Sequence, residues 1–194
     1  MNNSTPGDVT LLLREWRNGN PEALAALYQR YFPELRAQAV SYLRQLPPIP
    51  QVQPTQIVND VFVKMLEKEE LSLENRLHFK AWAVTATWNV MVSYLRHEYT
   101  IKKGGGKTFV PLDEAEECTP APAPEWFALR EAIEHLTAID EVKGRIAVLR
   151  YFGDFTISEI AEVLHLTTEQ VKSRWNAAKA WLKVELTEGH LYGH

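Results

Sequence analysis

The chain of 194 residues lacks the features that mark several common classes of protein. It contains one cysteine, Cys118, so no disulfide can form within it, and we expect a reducing, cytoplasmic setting. No apolar run approaches the roughly 20 residues of a membrane-spanning helix, so no membrane segment is predicted. The first residues have neither the basic region nor the apolar core of a secretory signal.

An excess of basic charge is missing as well. Lysine and arginine number 21 against 25 aspartates and glutamates, which gives a net charge of -4. A protein that holds nucleic acid by itself is usually basic, because phosphate contacts dominate the affinity. If this chain binds DNA, we expect a partner to supply much of the affinity.

The sequence pattern also lacks signatures of catalysis and of metal binding. The six histidines are scattered, and none stands at metal-ligand spacing from a cysteine or carboxylate, so no metal site is predicted. No serine lies on a nucleophile elbow. The run Gly104–Thr108 is similar to the end of a phosphate-binding loop but lacks the first glycine and a preceding strand. We therefore expect neither an enzyme nor a bound cofactor.

Helical patterns run through nearly the whole chain and predict an all-α fold. Apolar residues recur at helical spacing from Ile57 to Leu66 and again from Phe79 to Arg96. Asn20 followed by Pro21 is a typical helix start, with the asparagine as N-cap and the proline in the first helical position.

A change in composition divides the chain. Residues 103–124 combine glycine, proline and acidic side chains, which predicts a flexible linker. On either side we predict a small helical domain, one over residues 8–102 and the other over residues 125–188.

The most specific local pattern is a helix-turn-helix with two capping boxes. Thr156 precedes Glu159 by three residues, and Thr167 precedes Gln170 by three, so each pair can satisfy free amides where a helix begins. His165 stands in the turn where glycine is customary, and histidine enters positive φ more often than most residues.

The second helix of this pair has the two faces that a reader of the DNA major groove needs. Its apolar stripe is formed by Val171, Trp175, Ala178 and Leu182. Its outer face is basic and bears an amide, with Lys172, Asn176, Lys179 and Lys183. The expected DNA contacts on this helix are Lys172, Ser173, Arg174, Asn176 and Lys179. Two ordinary bundle helices with a solvated lysine face are the alternative.

Taken together, these segments resemble the extracytoplasmic-function (ECF) sigma factors, the two-domain promoter-specificity subunits of bacterial RNA polymerase. The resemblance covers about residues 8–103 and 125–186. It implies promoter-specific transcription initiation, with the β′ clamp and β flap of core RNA polymerase and promoter DNA as partners. The clamp helix is expected to dock through Asp60, Phe62 and Lys64. The opened promoter is expected to meet Trp82, Asn89, Arg96, Lys102 and Lys103, and the helix-turn-helix the duplex of the minus-thirty-five element.

The sequence departs from the family's pattern at the start of the clamp helix. Most members carry several carboxylates there, whereas this chain reads Gln53-Pro54-Thr55-Gln56 and keeps only Asp60. If Pro54 takes the first helical position, a phosphate on Thr55 would restore the missing charge at a favourable helix start. We predict that a Ser/Thr kinase switches on polymerase binding in this way, and the chain also resembles a subgroup of these factors that is linked to such kinases. The alternative is that Thr55 is a helix cap and that polymerase binding is simply weak.

Three questions stay open at this point. The chain could be a stand-alone helix-turn-helix regulator that binds an operator without polymerase, although Ile57–Leu66 would then have no role. It could also be a sigma-like interaction protein without productive polymerase binding. Trp88 replaces the family's usual basic residue before Asn89, and the pattern does not decide whether it stacks on DNA or packs inside.

Overall fold

The computed structural model describes residues 6–44, 52–67, 73–104 and 124–189 of the chain. These residues form eight helices and no strand, which confirms the predicted all-α fold. In chain order the helices are α1 (Pro6–Arg17), α2 (Pro21–Leu43), α3 (Pro54–Glu67), α4 (Arg76–Gly104), α5 (Pro124–Ile139), α6 (Glu141–Phe152), α7 (Ile157–Leu164) and α8 (Thr168–Gly189). The predicted linker lies almost entirely outside the described residues, so the division into two domains stays a prediction.

The N-terminal half, α1 to α4, begins its long second helix as predicted. Asn20 is the N-cap of α2, where its side-chain oxygen accepts a hydrogen bond of 3.0 Å from the backbone N–H of Glu22. Pro21 follows in the first turn, where a missing N–H costs nothing. The apolar side chains that these helices bury together include Val9, Leu13, Leu27, Tyr31, Leu35, Val58, Phe62, Met65 and Phe79.

The C-terminal half, α5 to α8, contains the helix-turn-helix and a close approach between α5 and α6. Gly144 lies in α6, and a Cβ at this position would come within 2.1 Å of the Thr137 hydroxyl oxygen. The close approach therefore requires glycine. The buried apolar side chains of this half include Ile133, Leu136, Ile146, Leu149, Phe155, Ile160, Val171, Ala178 and Leu182.

The two halves pack against each other, with α4 of the first half lying on α6 and α7 of the second. Trp88 of α4 is only 4 % exposed, and its ring centroid is 4.3 Å from that of Phe152 at the end of α6. Trp88 therefore packs inside the protein, which answers the question that the sequence left open. At this interface Lys80 also lies 5.4 Å from the centre of the Phe155 ring.

Polar groups of α2 reach across the same interface. The side-chain N–H of Gln38 donates a hydrogen bond of 3.1 Å to the carbonyl oxygen of Phe152, and the Tyr42 hydroxyl donates to the same oxygen. Carbonyls at a helix end lack intrahelical partners, so these side chains satisfy a group that α6 leaves unpaired. Burial raises the pKa of the Tyr42 hydroxyl, which keeps it a donor at neutral pH. No described helix is both long and apolar enough to span a lipid bilayer.

Candidate nucleic-acid interface

The helix-turn-helix has both of the predicted capping boxes. At the start of α7 the Thr156 hydroxyl accepts from the Glu159 backbone N–H at 3.2 Å, and the Glu159 carboxylate accepts from the Thr156 N–H at 2.7 Å. At the start of α8 the Thr167 hydroxyl and the Gln170 carboxamide form the same reciprocal pair, at 3.1 and 2.9 Å. These bonds fix the directions of both helices, because each pair satisfies two amides at a helix start.

The turn between these two helices depends on a left-handed residue. His165 ends α7 with φ at 52° and ψ at 44°, as the sequence predicted. The backbone N–H of the next residue, Leu166, then donates back to the carbonyl of Ala161 at 2.9 Å. Such bonds satisfy the last carbonyls of a helix and end it. A histidine therefore does here what glycine does in most such turns.

Helix α8 buries one face and exposes the other. Val171, Ala178 and Leu182 are at most 2 % exposed, which confirms the predicted inward stripe. Trp175 is half-buried beside Tyr151, with their ring centroids 5.3 Å apart.

The outward side chains of α8 are those predicted to contact DNA. Lys172, Ser173, Asn176 and Lys179 are exposed. Arg174 is half-buried, and its guanidinium lies 3.5 Å from the carbonyl oxygen of Gln170 on the preceding turn. The outer face of α8 is therefore open to solvent, although its contact with DNA stays a prediction.

The expected contacts on α4 have a different environment. Trp82 is half-buried, and with the exposed Asn89 it lines a cavity of about 600 Å³ between the two halves. The opposite wall includes Glu141, Arg145 and Val163 of the C-terminal half. A DNA strand that reached Trp82 would have to enter this cavity or part its walls.

The basic end of α4 is also engaged by the C-terminal half. The Arg96 guanidinium lies 2.7 Å from the carboxylate of Glu134 on α5, and that carboxylate is shared with Arg130 at 3.3 Å. The backbones of Lys102 and Lys103 belong to α4, but their side chains lie outside the described residues. Whether these three cations contact DNA stays a prediction.

Helix α3 begins at Pro54, so Thr55 is its second residue. The carbonyl of Gln53 accepts hydrogen bonds from the backbone N–H groups of Gln56 and Ile57, at 2.9 and 3.2 Å. Gln53 therefore occupies the cap position, and the alternative that Thr55 is the helix cap is wrong. The Thr55 side chain is exposed, and the first turn of α3 contains no acidic residue.

The three residues expected to meet polymerase differ in their accessibility. Lys64 is exposed, whereas Phe62 is only 6 % exposed and packs edge-on against Tyr28 at 5.0 Å. The Phe62 ring thus belongs to the core of the N-terminal half, and the expectation that it docks onto a partner is corrected on this point. Asp60 is half-buried and accepts a hydrogen bond of 2.5 Å from the Tyr94 hydroxyl. Burial together with this bond raises the pKa of Tyr94 to about 12.

Sequence reasoning missed two features around these residues. Val63 and Leu66 of α3 are 48 % and 62 % exposed, which makes the outer face of this helix partly apolar. In addition, Glu74, His78 and His165 come together in space, although the sequence predicted no such group. Glu74 and His78 stand four positions apart at the start of α4, but only the fold brings His165 to them.

The chain matches one model of a protein family over almost its whole length. The model is that of the ECF sigma factors, and the match spans residues 6–188, from the start of α1 to the last turn of α8. No curated protein matches the chain.

Proposed function

This chain belongs to the ECF sigma factor family, and on that basis we propose that phosphorylation of Thr55 switches on its binding to core RNA polymerase. A sigma factor of this family binds core RNA polymerase and promoter DNA and acts in transcription initiation. The observation that carries the proposed switch is the exposed Thr55 hydroxyl in a helix start without any acidic residue.

Electrostatics supports the second position of α3 as a site for a phosphate. The first backbone N–H groups of a helix have no intrahelical partner, and the helix dipole places partial positive charge there. A phosphothreonine adds about -1.5 to -2 units of charge at neutral pH. Asp60, one turn further along α3, is half-buried and hydrogen-bonded to Tyr94, so it contributes little accessible charge.

We propose that the outer face of α3 meets the β′ clamp of the polymerase. Lys64, Val63 and Leu66 are among its exposed members, and Thr55 lies at the N-terminal end of the same helix. Close charge pairs across an interface couple by roughly 1.5–7 kcal/mol. A phosphate that met basic side chains of the clamp would therefore change affinity by at least about tenfold, and the apolar side chains would add burial.

The DNA contacts are proposed on two helices. The exposed face of α8, with Lys172, Asn176 and Lys179, has the side chains that recognise duplex base edges and phosphates. Trp82 and Asn89 on α4 have the character required to hold unstacked bases, and Arg96, Lys102 and Lys103, further along the same helix, are proposed to meet phosphates. The C-terminal half is further proposed to contact the β flap.

The test is the affinity of the purified chain for core RNA polymerase. The unmodified protein, the kinase-treated protein, Thr55→Glu and Thr55→Ala are compared, with Thr10→Glu as a control that adds the same charge at an exposed position of α1. We expect tight binding only for the kinase-treated and Thr55→Glu forms. Equal, tight binding of all forms would support a sigma factor whose binding to polymerase does not depend on phosphorylation of Thr55. No binding in any form would contradict the proposed polymerase contact.

One observation favours a second candidate function, a regulator that binds duplex DNA without polymerase. The outer face of α8 is open, whereas Trp82 and Asn89 face a cavity between the two halves. Duplex binding by the chain alone, at physiological salt and with sequence preference, would support this candidate. This candidate function would leave the exposed apolar residues of α3 without a role. The net charge of -4 also disfavours a protein that binds DNA by itself.

A further inference from the structure

Two histidines and a glutamate from both halves of the chain meet at the edge of the large cavity. Glu74 lies two residues before α4, His78 lies in the first turn of α4, and His165 is the C-cap of α7. Their candidate ligand atoms all lie within 4.8 Å of one another. The Nε2 atom of His165 is 3.9 Å from the Glu74 carboxylate, and the two imidazole rings are 5.6 Å apart.

We propose that Glu74, His78 and His165 form a binding site for a divalent transition metal ion, with Zn²⁺ the ion that fits best. Two imidazole nitrogens and one carboxylate oxygen are a frequent ligand set for zinc, with a fourth position left to water. In a tetrahedral site with bonds of about 2.0–2.2 Å the ligand atoms lie about 3.3 Å apart. The widest pair must therefore close by roughly 1.5 Å, and the exposed side chains of Glu74 and His165 can rotate to do so.

Burial of His78 gives the cluster one ligand that is already held in place. Its side chain is about 95 % removed from solvent, and it lines the cavity together with His165. Its candidate ligand atom lies within 4.8 Å of those of Glu74 and His165. A ring that is fixed by packing is a preorganised ligand, around which the two exposed side chains would close on a metal ion.

The surrounding hydrogen bonds hold the metal ligands in place. The Asn75 side-chain oxygen accepts from the backbone N–H of His78 at 3.0 Å, which fixes the start of α4. The Asn75 amide also donates to the Glu162 carboxylate of α7 at 3.0 Å. These bonds connect the same two elements that supply the ligands, and residues that orient ligands in this way raise metal affinity.

A metal ion at this position would join the helix-turn-helix to the start of α4. His165 comes from the turn between α7 and α8, whereas Glu74 and His78 belong to the N-terminal half. The ion would therefore bind only when the two halves are packed, and it would stabilise the arrangement in which Trp82 and Asn89 line the cavity. The site itself does not depend on the proposed phosphorylation of Thr55.

The test is a titration of metal-stripped, tag-free, full-length protein with Zn²⁺, followed by calorimetry and by thermal unfolding. We expect one tight site per chain, and a rise in Tm of about 5–10 °C at zinc concentrations a hundredfold above Kd. His165→Asn keeps a residue that tolerates the left-handed conformation, and it should weaken binding at least tenfold. Glu74→Gln, at an exposed position, should do the same without disturbing the core.

The matched control is His135→Asn. His135 is an exposed histidine 3.0 Å from the Glu185 carboxylate, and it belongs to no three-ligand group among the described residues. Zinc affinity and the rise in Tm should be unchanged in this variant. The proposal is overturned if His165→Asn and Glu74→Gln bind zinc as the unaltered chain does. It is equally overturned if His135→Asn loses as much affinity as they do, or if zinc binds without raising Tm.

Discussion

Two surfaces of this sigma factor are expected to meet DNA, and they differ in what covers them. The outer face of α8 is open, and Lys172, Asn176 and Lys179 are exposed along it. On α4, by contrast, Trp82 and Asn89 line a cavity whose other wall is the C-terminal half. In this arrangement the surface proposed for duplex DNA is open, whereas the C-terminal half partly covers the surface proposed for the opened strand. A DNA strand reaches Trp82 only if it enters this cavity or if the two halves move apart.

The largest effect is expected from breaking the contact that covers α4. Replacing Trp88 by alanine removes a buried ring that packs on Phe152, and such changes cost about 3–5 kcal/mol of unfolding free energy. Urea unfolding followed by circular dichroism measures the loss. Leu66→Ala, at a side chain 62 % exposed, is the control and should change stability by less than about 0.5 kcal/mol. A loss below about 1 kcal/mol for Trp88→Ala would mean that the two halves do not pack as described.

A smaller effect is expected from the first capping box of the helix-turn-helix. Thr156→Ala removes the hydroxyl that accepts from the Glu159 N–H and keeps the backbone N–H that donates to the Glu159 carboxylate, so it should cost about 0.5–2 kcal/mol. Thermal unfolding of the variant beside Ser158→Ala, an exposed residue of the same helix, measures the difference. Equal stability of the two variants would contradict the contribution of the cap.

The pH dependence of that difference is a sharper test. Hydrogen bonds from the backbone and then the side chain of Thr156 hold the pKa of Glu159 below its ordinary value. A lowered folded-state pKa adds stability at pH above the unfolded value of about 4.3, and this stability is lost as the pH falls through the folded-state value. Thr156→Ala removes the side-chain bond and keeps the backbone bond, so the gap in stability between the unaltered protein and this variant should be constant near neutral pH and should narrow in part below about pH 4. A gap that widened in acid would contradict this origin.

A substitution on the open face of α8 should change DNA binding without changing the stability of the protein. Lys172→Ala removes one exposed cation from α8. The slope of the logarithm of the duplex-binding constant against the logarithm of the salt concentration should therefore become shallower by about one. Fluorescence anisotropy at several salt concentrations measures the slope. Lys143→Ala, at a lysine paired with Asp140 on α6, is the control and should leave the slope unchanged. Equal slopes for both variants would contradict the proposal that α8 is part of the DNA interface.

The smallest expected effect concerns the ion pair at the end of α4. A double-mutant cycle with Arg96→Gln and Glu134→Gln should give a coupling of about 0.2–1 kcal/mol, because the Arg96 side chain is 67 % exposed. Chemical unfolding of the four proteins supplies the cycle. A coupling energy of zero would mean that the ion pair between Arg96 of α4 and Glu134 of α5 does not stabilise the contact of these helices.

Local signals allowed much of this structure to be predicted from the sequence. The two capping boxes, the left-handed His165 and the start of α3 at Pro54 each depend on residues a few positions apart. The burial of Phe62 could also have been predicted from the sequence, because Phe62 belongs to the apolar helical stripe of α3.

Features that depend on tertiary packing were beyond the sequence. Trp88 is buried because α6 lies across α4, and no pattern within α4 indicates that contact. His165 is 87 positions from His78, so spacing could not bring them together. The packing of α4 against the C-terminal half also places Trp82 in a cavity and leaves the outer face of α8 exposed to solvent.

The central claim is that this chain directs core RNA polymerase to promoters once Thr55 carries negative charge. The most direct measurement is run-off transcription by core polymerase from genomic promoter fragments, with Thr55→Glu and Thr55→Ala compared at equal concentrations. The account predicts discrete transcripts with Thr55→Glu and few or none with Thr55→Ala. Discrete transcripts of equal yield from both variants would contradict the switch, and the absence of promoter-specific transcripts from either would contradict the sigma-factor activity itself.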